Sequence, residues 1–137
     1  MIYGRIMEGH RAKQEEMLQG KVGNAGIQVL LKERVLDPNA RIGDKVSAIK
    51  RINDHWFVRD RVRWAVDQAV RLAAIARMGE SSFRPQQNDI DYLVGVSRIH
   101  ADPVTMEAAG AQVARIKRML AVEEELRSSG MSAKRPG

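Results

Sequence analysis

The sequence contains no cysteine, and its aromatic residues are just two tryptophans, two tyrosines and two phenylalanines. The lack of cysteine excludes disulfide bonds, thiolate nucleophiles and cysteine-rich zinc sites. No apolar stretch approaches the roughly 20 residues that a membrane-spanning helix needs. The first residues, MIYGRIMEGHR, also lack the apolar block of a secretory signal. We therefore expect a cytoplasmic protein that has no membrane partner.

Hydrophobic residues nevertheless make up 44% of the 137 residues. With so few aromatic rings, the core has to be built from Leu, Ile, Val, Met and Ala, a composition that favours helices. The length matches one ordinary domain and suffices to bury a core without a metal. We expect a single all-α domain over residues 1–130, followed by a basic tail over residues 131–137.

Apolar residues at steps of three and four predict a compact bundle of five or six helices. The firmest stripe comprises Val58, Val62, Ala65, Ala69, Leu72 and Ala76. It predicts one long helix near residues 54–78. Asp102 followed by Pro103 is a helix start signal, because proline is favoured at the first helical position, and it predicts a second long helix over residues 103–128. Shorter helices are expected near residues 3–18, 24–36, 44–52 and 88–99.

The last predicted helix carries an apolar seam of the kind that joins helices in hairpins and coiled coils. The seam residues are Met106, Val113, Ile116 and Leu120, with Ala109 among them. They are compatible with packing inside the same chain and with self-association. We expect a homo-oligomer, or a stable complex with a larger protein machine, in which these residues form the interface.

The positive charge is concentrated in one part of the chain. The net charge is +6, and residues 44–78 hold eight Lys and Arg against four Asp and Glu. This excess predicts a basic face that binds nucleic acid, with duplex DNA as the expected ligand. The candidate phosphate-binding residues are Lys50, Arg51, Arg59, Arg61 and Arg63, joined by Arg115, Lys117 and Arg118 of the last helix. The alternative is a solvated surface whose arginines lie over apolar neighbours.

Two tryptophans lie within the same basic segment. Trp56 and Trp64 are candidates for stacking on nucleic-acid bases. Tryptophans beside a stripe of Val and Ala also serve as core or interface residues. Contacts with phosphates position a protein on nucleic acid without reading the bases. We therefore expect binding that does not depend on base sequence.

No catalytic or metal-binding template fits the sequence. His10, His55 and His100 match no metal-binding histidine motif, and His55 is interpreted as a helix-start residue. Asp89 and Asp91 lie about 200° apart on a helix and cannot hold an ion together. We expect a protein that is not an enzyme and that has no cofactor and no metal.

The stretch GKVGNAGIQVLLKER at residues 20–34 combines closely spaced glycines with an apolar run. A phosphate-binding P-loop needs a preceding strand and a Ser or Thr after its lysine, and both are missing. The Gly-x-x-Gly loop of KH domains needs a sheet, which the pattern does not predict. A helix-turn-helix fits the lengths, but the second helix is too apolar to read a groove. We interpret Gly20 and Gly23 as turn residues.

Residues 23–34, GNAGIQVLLKER, resemble a stretch that recurs in phage terminase small subunits and related DNA-packaging proteins. The resemblance implies a helical DNA-binding protein that assembles into a ring and hands viral DNA to a large ATPase and nuclease subunit. It would place the protein in the host cytoplasm or the virion. The functional residues of that family transfer only to Lys32 and Arg34. With 22 residues before the stretch, we expect the DNA-contacting surface elsewhere, near residues 50–63.

Two functions from different classes follow from these patterns. The first is an oligomeric nucleic-acid-binding protein of the terminase small subunit type. The second is a virion structural or connector protein, or an adaptor or inhibitor without enzymatic activity, whose basic face docks on an acidic protein. Binding to nucleic acid that weakens steeply with salt would favour the first.

Overall fold

The structure is a computed structural model, and it describes residues 23–129. These residues form six α-helices, and none of them lies in a strand. The helices are α1 (Asn24–Leu36), α2 (Ile42–Ile49), α3 (His55–Trp64), α4 (Gln68–Met78), α5 (Gln87–Arg98) and α6 (Pro103–Ser128). The predicted all-α fold class is thereby confirmed. The helix predicted near residues 3–18 and the tail at residues 131–137 lie outside the described residues.

The chain divides into two compact units, one ending at Asp54 and the other starting at His55. In the first unit, α1 packs against α2. In the second unit, α6 packs on α5 and α4, and α3 packs on α4 and α5. The single domain predicted over residues 1–130 stays a prediction.

Side-chain hydrogen bonds from α1 fix the end of the first unit. Gln28 donates its amide to the carbonyl oxygen of Arg51 and accepts the N–H of Asn53, both at 2.9 Å. Gly23 precedes α1 with a φ of 69°, a left-handed conformation that glycine adopts without strain. This conformation agrees with its interpretation as a turn residue. The buried residues of α1 are Ile27, Leu31 and Val35.

The segment predicted as one helix over residues 54–78 is two helices separated by a short turn. Asp67 has an extended backbone at the start of α4. Arg71 stabilises the turn, because its Nη1 donates hydrogen bonds to the carbonyl oxygens of Ala65 at 2.7 Å and Val66 at 3.0 Å. The helix thus ends at the turn that Arg71 stabilises, although the apolar stripe predicts that it continues.

The break changes which side of α4 is buried. The stripe predicts that Ala69, Leu72 and Ala76 face the core. Instead, Ala69 and Ala76 are exposed and Leu72 is half-buried. The buried apolar residues of α4 are Val70, Ala74, Ile75 and Met78. The predicted register is therefore correct before the turn and wrong after it.

The start of α6 holds Arg71 in place. Arg71 donates Nη2 to Asp102 Oδ2 at 2.7 Å and Nε to Thr105 Oγ1 at 2.9 Å. Asp102 also accepts the Gln68 amide at 3.0 Å and the backbone N–H of Val104 at 3.1 Å, so it is the predicted helix cap. These hydrogen bonds hold the pKa of the Asp102 carboxyl well below its ordinary range, and the hydrogen bond from Arg71 has the largest effect.

The substitution Asp102→Asn should lower the melting temperature at neutral pH, and the difference from wild type should shrink in acid. A carboxyl with a depressed folded pKa adds its full stability above its unfolded pKa of about 3.9. That contribution is lost as the pH falls from there towards the folded pKa. Thermal unfolding followed by circular dichroism at pH 7 and at pH 2 measures both differences. Equal differences at the two pH values would contradict the role assigned to Asp102.

The apolar seam of α6 is largely used inside the chain. Ala109, Val113 and Ile116 are buried, and α6 packs there on α4 and α5. Met106 is half-buried, and Leu120 is exposed. The expected oligomer interface is therefore corrected at Val113 and Ile116, because these two side chains are core residues of their own unit.

Gln112 is a buried polar residue at the contact between α6 and the end of α4. Its Nε2 donates to the carbonyl oxygens of Ile75 at 2.8 Å and Ala76 at 3.3 Å. The Gln112 amide occupies the space that a Cβ atom on Gly79 would need. The substitution Gly79→Ala should therefore displace Gln112 and reduce the free energy of unfolding by about 1–3 kcal/mol.

A double-mutant cycle tests this assignment. In a Gln112→Ala background the space beside Gly79 is free, so adding Gly79→Ala should have almost no further effect on the free energy of unfolding. Urea denaturation of the wild type, both single variants and the double variant measures the coupling. Two strictly additive single effects would show that the two residues do not compete for this space.

Candidate nucleic-acid interface

Two tryptophans lie on the exposed side of α3. Val58 and Val62 are buried on one side of this helix. Because successive residues are about 100° apart around a helix, Trp56 and Trp64 project from the other side. Their residues are 70% and 67% exposed. The core interpretation of the two tryptophans is therefore wrong, and the stacking and interface interpretations both fit their exposure.

Asp60 and Arg63 lie between the two tryptophans at helical spacing. We call Trp56, Asp60, Arg63 and Trp64 the tryptophan face. Its two indoles are eight residues apart, which is about 12 Å along the helix axis. Exposed aromatic side chains grouped in this way are typical of an interaction surface, since tryptophan combines a large apolar ring with an N–H donor.

Arg63 lies beside Tyr92 at the tryptophan face. Its guanidinium carbon lies 5.3 Å from the ring centroid of Tyr92 on α5. Burial raises the pKa of the Tyr92 hydroxyl, and the hydrogen bond and charge of Arg63 partly oppose that rise. Tyr92 is therefore neutral at physiological pH. No carboxylate within residues 23–129 forms an ion pair with Arg63, so its charge is not neutralised by direct contact.

Arg59 is held by protein groups at the edge of the tryptophan face. Its Nε donates to the carbonyl oxygen of His55 at 3.3 Å and lies 3.3 Å from Asp89 Oδ1. The contact with His55 is a hydrogen bond, and the contact with Asp89 is an ion pair without hydrogen-bond geometry. The Arg59 guanidinium also lies 5.0 Å from the Trp56 ring centroid. Arg59, predicted as a phosphate-binding residue, is therefore half-buried and in contact with protein groups.

Arg61 lies away from the tryptophan face. Its guanidinium carbon is 5.5 Å from the Phe57 ring centroid, and its buried Nε has no hydrogen-bond partner among the described residues. The helical spacing separates Arg61 from Arg63 by about 200°. Arg59, Arg61 and Arg63, which the sequence analysis assigns to one basic face, therefore do not all lie on the same side of α3.

The remaining candidate cations are exposed. Lys50 and Arg51 follow α2 in the first unit, and the exposed cations of α6 are Arg115, Lys117 and Arg118. The described residues provide no ion-pair partner for these three side chains of α6. Lys32, in the stretch that resembles terminase small subunits, instead pairs with Asp54 Oδ2 at 2.6 Å.

Exposed apolar residues continue beside Trp64. Val66 in the turn after α3 is 92% exposed, and Ile99 at the end of α5 is 75% exposed. The His100 Nε2 atom lies 3.1 Å from the carbonyl oxygen of Arg63, which places the end of α5 beside the end of α3. The tryptophan face is therefore bordered on one side by apolar surface.

A contact between the half-buried His55 and the buried Asp89 supports the start of α3. His55 Nδ1 lies 2.6 Å from Asp89 Oδ2, and the His55 ring stacks on Phe83 at a centroid distance of 3.9 Å. The same Asp89 oxygen accepts the backbone N–H of Gln86 at 2.8 Å. The carboxylate thus joins the beginnings of α3 and α5. Its observed contacts assign it a structural role.

Sequence reasoning missed the role of Asp89. The helix was predicted to begin near residue 88, whereas α5 begins at Gln87 and its cap is Gln86. A capping box places a carboxylate or amide three residues after the cap, and Gln86 and Asp89 have this spacing with unusual residue types. That spacing was the available signal. The His55 contact joins residues 34 positions apart, and no local pattern predicts it.

No protein-family model, curated protein or solved structure matches this chain. In the part of the chain that the structure describes, no helix is long and apolar enough to cross a membrane. The same residues contain no group of three His, Cys, Asp or Glu side chains that could hold a metal ion. The functional interpretation therefore depends on the geometry of the tryptophan face.

Proposed function

We propose that this chain is a nucleic-acid-binding protein and that its tryptophan face holds the bases. The exposure of both Trp56 and Trp64 on one helix face is the observation that carries the proposal. Stacking on aromatic side chains is sequence-tolerant, because every base has a π-face. Arg63, which forms no ion pair within residues 23–129, adds positive charge beside the indoles, and Asp60 is the one acidic residue of the same face.

The same geometry favours single strands as the ligand. Stacking requires unpaired bases, whereas the bases of a duplex already stack on one another. Several arginines that charge alone would assign to duplex phosphates contact protein groups instead, with Arg59 as the main example. We therefore propose that unpaired strands bind more tightly than the duplex DNA predicted from charge.

The resemblance of residues 23–34 to phage terminase small subunits suggests a biological setting. In that setting the protein would be an oligomeric DNA-packaging factor that works with a larger protein machine. The exposed cations of α6 would then add affinity for phosphates without reading sequence.

Fluorescence polarisation of a labelled oligonucleotide tests the proposal. The single strand and the matching duplex are each titrated with the full chain at about 50 and 200 mM salt. We expect tighter binding of the single strand, and weaker binding of both ligands at the higher salt concentration. The proposal fails if neither ligand binds with a salt-dependent affinity.

One observation favours a second candidate function, that of an adaptor which docks on an acidic protein. Nucleic acid makes little use of aliphatic surface, yet Val66 and Ile99 extend the exposed apolar area beside Trp64. A protein partner would bury these two side chains together with the indoles. If this second function is correct, the wild-type chain should have no affinity for nucleic acid. The Ile99→Ala variant should then lose its binding to the acidic protein.

A further inference from the structure

The second half of α6 extends beyond the part that packs on the rest of its unit. Ile116 is the last buried residue of the helix. From residue 117 to residue 129 every residue is exposed except Met119, which is half-buried. This exposed segment is about 20 Å long, at 1.5 Å per residue. It presents a helix surface that the described chain leaves uncovered.

The exposed segment has an apolar seam of its own. Met119, Val122 and Leu126 follow steps of three and four, the heptad spacing of a coiled coil. We call these three residues the distal seam. Val122 is 54% exposed, so an apolar stripe is in contact with water. The helical spacing turns the distal seam away from the buried stripe of Val113 and Ile116.

The basic and acidic residues around the distal seam are separated along the helix, so that the basic part of one copy can face the acidic part of another. Basic residues at positions 115, 117 and 118 precede the distal seam, and acidic residues at positions 123–125 accompany its second half. Arg118 and Glu125 are seven residues apart and therefore flank the seam on the same side. In an antiparallel pair of such helices, Arg118 of each copy faces Glu125 of the other copy.

We propose that the distal seam pairs with the distal seam of a second copy of this chain, antiparallel, about a twofold axis between residues 121 and 122. A twofold interface uses the same patch on both copies, and this patch is complementary to itself in charge. A parallel pair would instead place Arg115 against Arg115 and the acidic block against the acidic block. This opposition of like charges selects the antiparallel arrangement.

The proposed contact is short, so the dimer should be weak. Three apolar side chains from each copy and two exposed ion pairs form an interface at the small end of the range for specific complexes. Exposed ion pairs are also screened by salt. We expect a monomer–dimer equilibrium that appears at protein concentrations on the order of 100 μM and shifts towards monomer as salt increases.

Sedimentation equilibrium of the full chain tests the proposal by charge reversal. Arg118→Glu and Glu125→Arg should each weaken self-association at least about tenfold, because each places like charges face to face. An equimolar mixture of the two variants should associate again, since every reversed side chain then meets an opposite charge. This restored association is specific to the antiparallel arrangement, because a parallel pair does not bring positions 118 and 125 together.

Lys117→Glu and Glu124→Arg are the matched controls. They reverse charges on the side of α6 opposite the distal seam, so their self-association should equal that of the wild type. A wild-type chain that remains monomeric up to millimolar concentration would overturn the proposal. So would a mixture of Arg118→Glu and Glu125→Arg that associates no better than either variant alone.

Discussion

Replacing Asp89 by Ala should reduce the free energy of unfolding by about 3–5 kcal/mol, the range found when one partner of a buried ion pair is removed. Asp89 is fully buried, and it contacts His55 on α3 and the backbone of Gln86 at the start of α5. Its loss would leave His55 and the backbone N–H of Gln86 without their acceptor, and it would remove the carboxylate that pairs with Arg59. Urea denaturation measures the change.

Asp91→Ala is the matched control for this prediction. Asp91 is on the same helix, is exposed, and accepts one hydrogen bond from the Gln87 amide at 2.9 Å. Its replacement should change the free energy of unfolding by less than about 0.5 kcal/mol. Equal losses in the two variants would show that Asp89 does not join α3 to α5 in the way described.

The double substitution of Trp56 and Trp64 by Ala should weaken single-strand binding at least about 30-fold. Each stacked base is worth about 1–3 kcal/mol, and every 1.4 kcal/mol changes affinity about tenfold. Both residues are mostly exposed, so the fold should persist with its circular dichroism spectrum unchanged. Fluorescence polarisation gives the two dissociation constants.

Ile99→Ala provides the comparison for the tryptophan substitutions. It removes exposed apolar area beside Trp64 and leaves both indoles in place. Single-strand affinity should stay at the wild-type value. If Ile99→Ala weakens single-strand binding as much as the double tryptophan variant, the stacking mechanism is wrong.

Local signals in the sequence predicted the parts of the fold that depend on neighbouring residues. The Asp102 and Pro103 pair correctly predicted the start of α6, because a cap and a first-turn proline act within one helical turn. The end of α1 before Pro38 was predicted for the same reason, since a residue before proline avoids the helical conformation.

Contacts between distant residues explain what the periodicity did not predict. The turn between α3 and α4 is bonded by Arg71, which is itself held by Asp102, 31 residues further along the chain. No stripe of apolar residues contains that information. The prediction therefore continued the helix through the turn and assigned the wrong side of α4 to the core.

The sequence indicated which residue types the candidate site contains, but it did not indicate which of those side chains are exposed. Trp56 and Trp64 were selected as candidates from their residue type, and only the position of α3 in its unit shows that they face solvent. The arginines were selected as parts of one basic face. Their contacts with Asp89, Phe57 and Tyr92 come from three different places in the unit, and these contacts distribute the arginines differently.

Intrinsic tryptophan fluorescence during a titration with unlabelled single-stranded oligonucleotide tests base stacking on the tryptophan face most directly. Trp56 and Trp64 are the two tryptophans of the chain, so all indole emission comes from this face. Stacking predicts quenching that saturates at the same oligonucleotide concentration as binding measured by polarisation. Polarisation that saturates while the indole emission stays unchanged would contradict stacking and place the nucleic acid elsewhere on the protein.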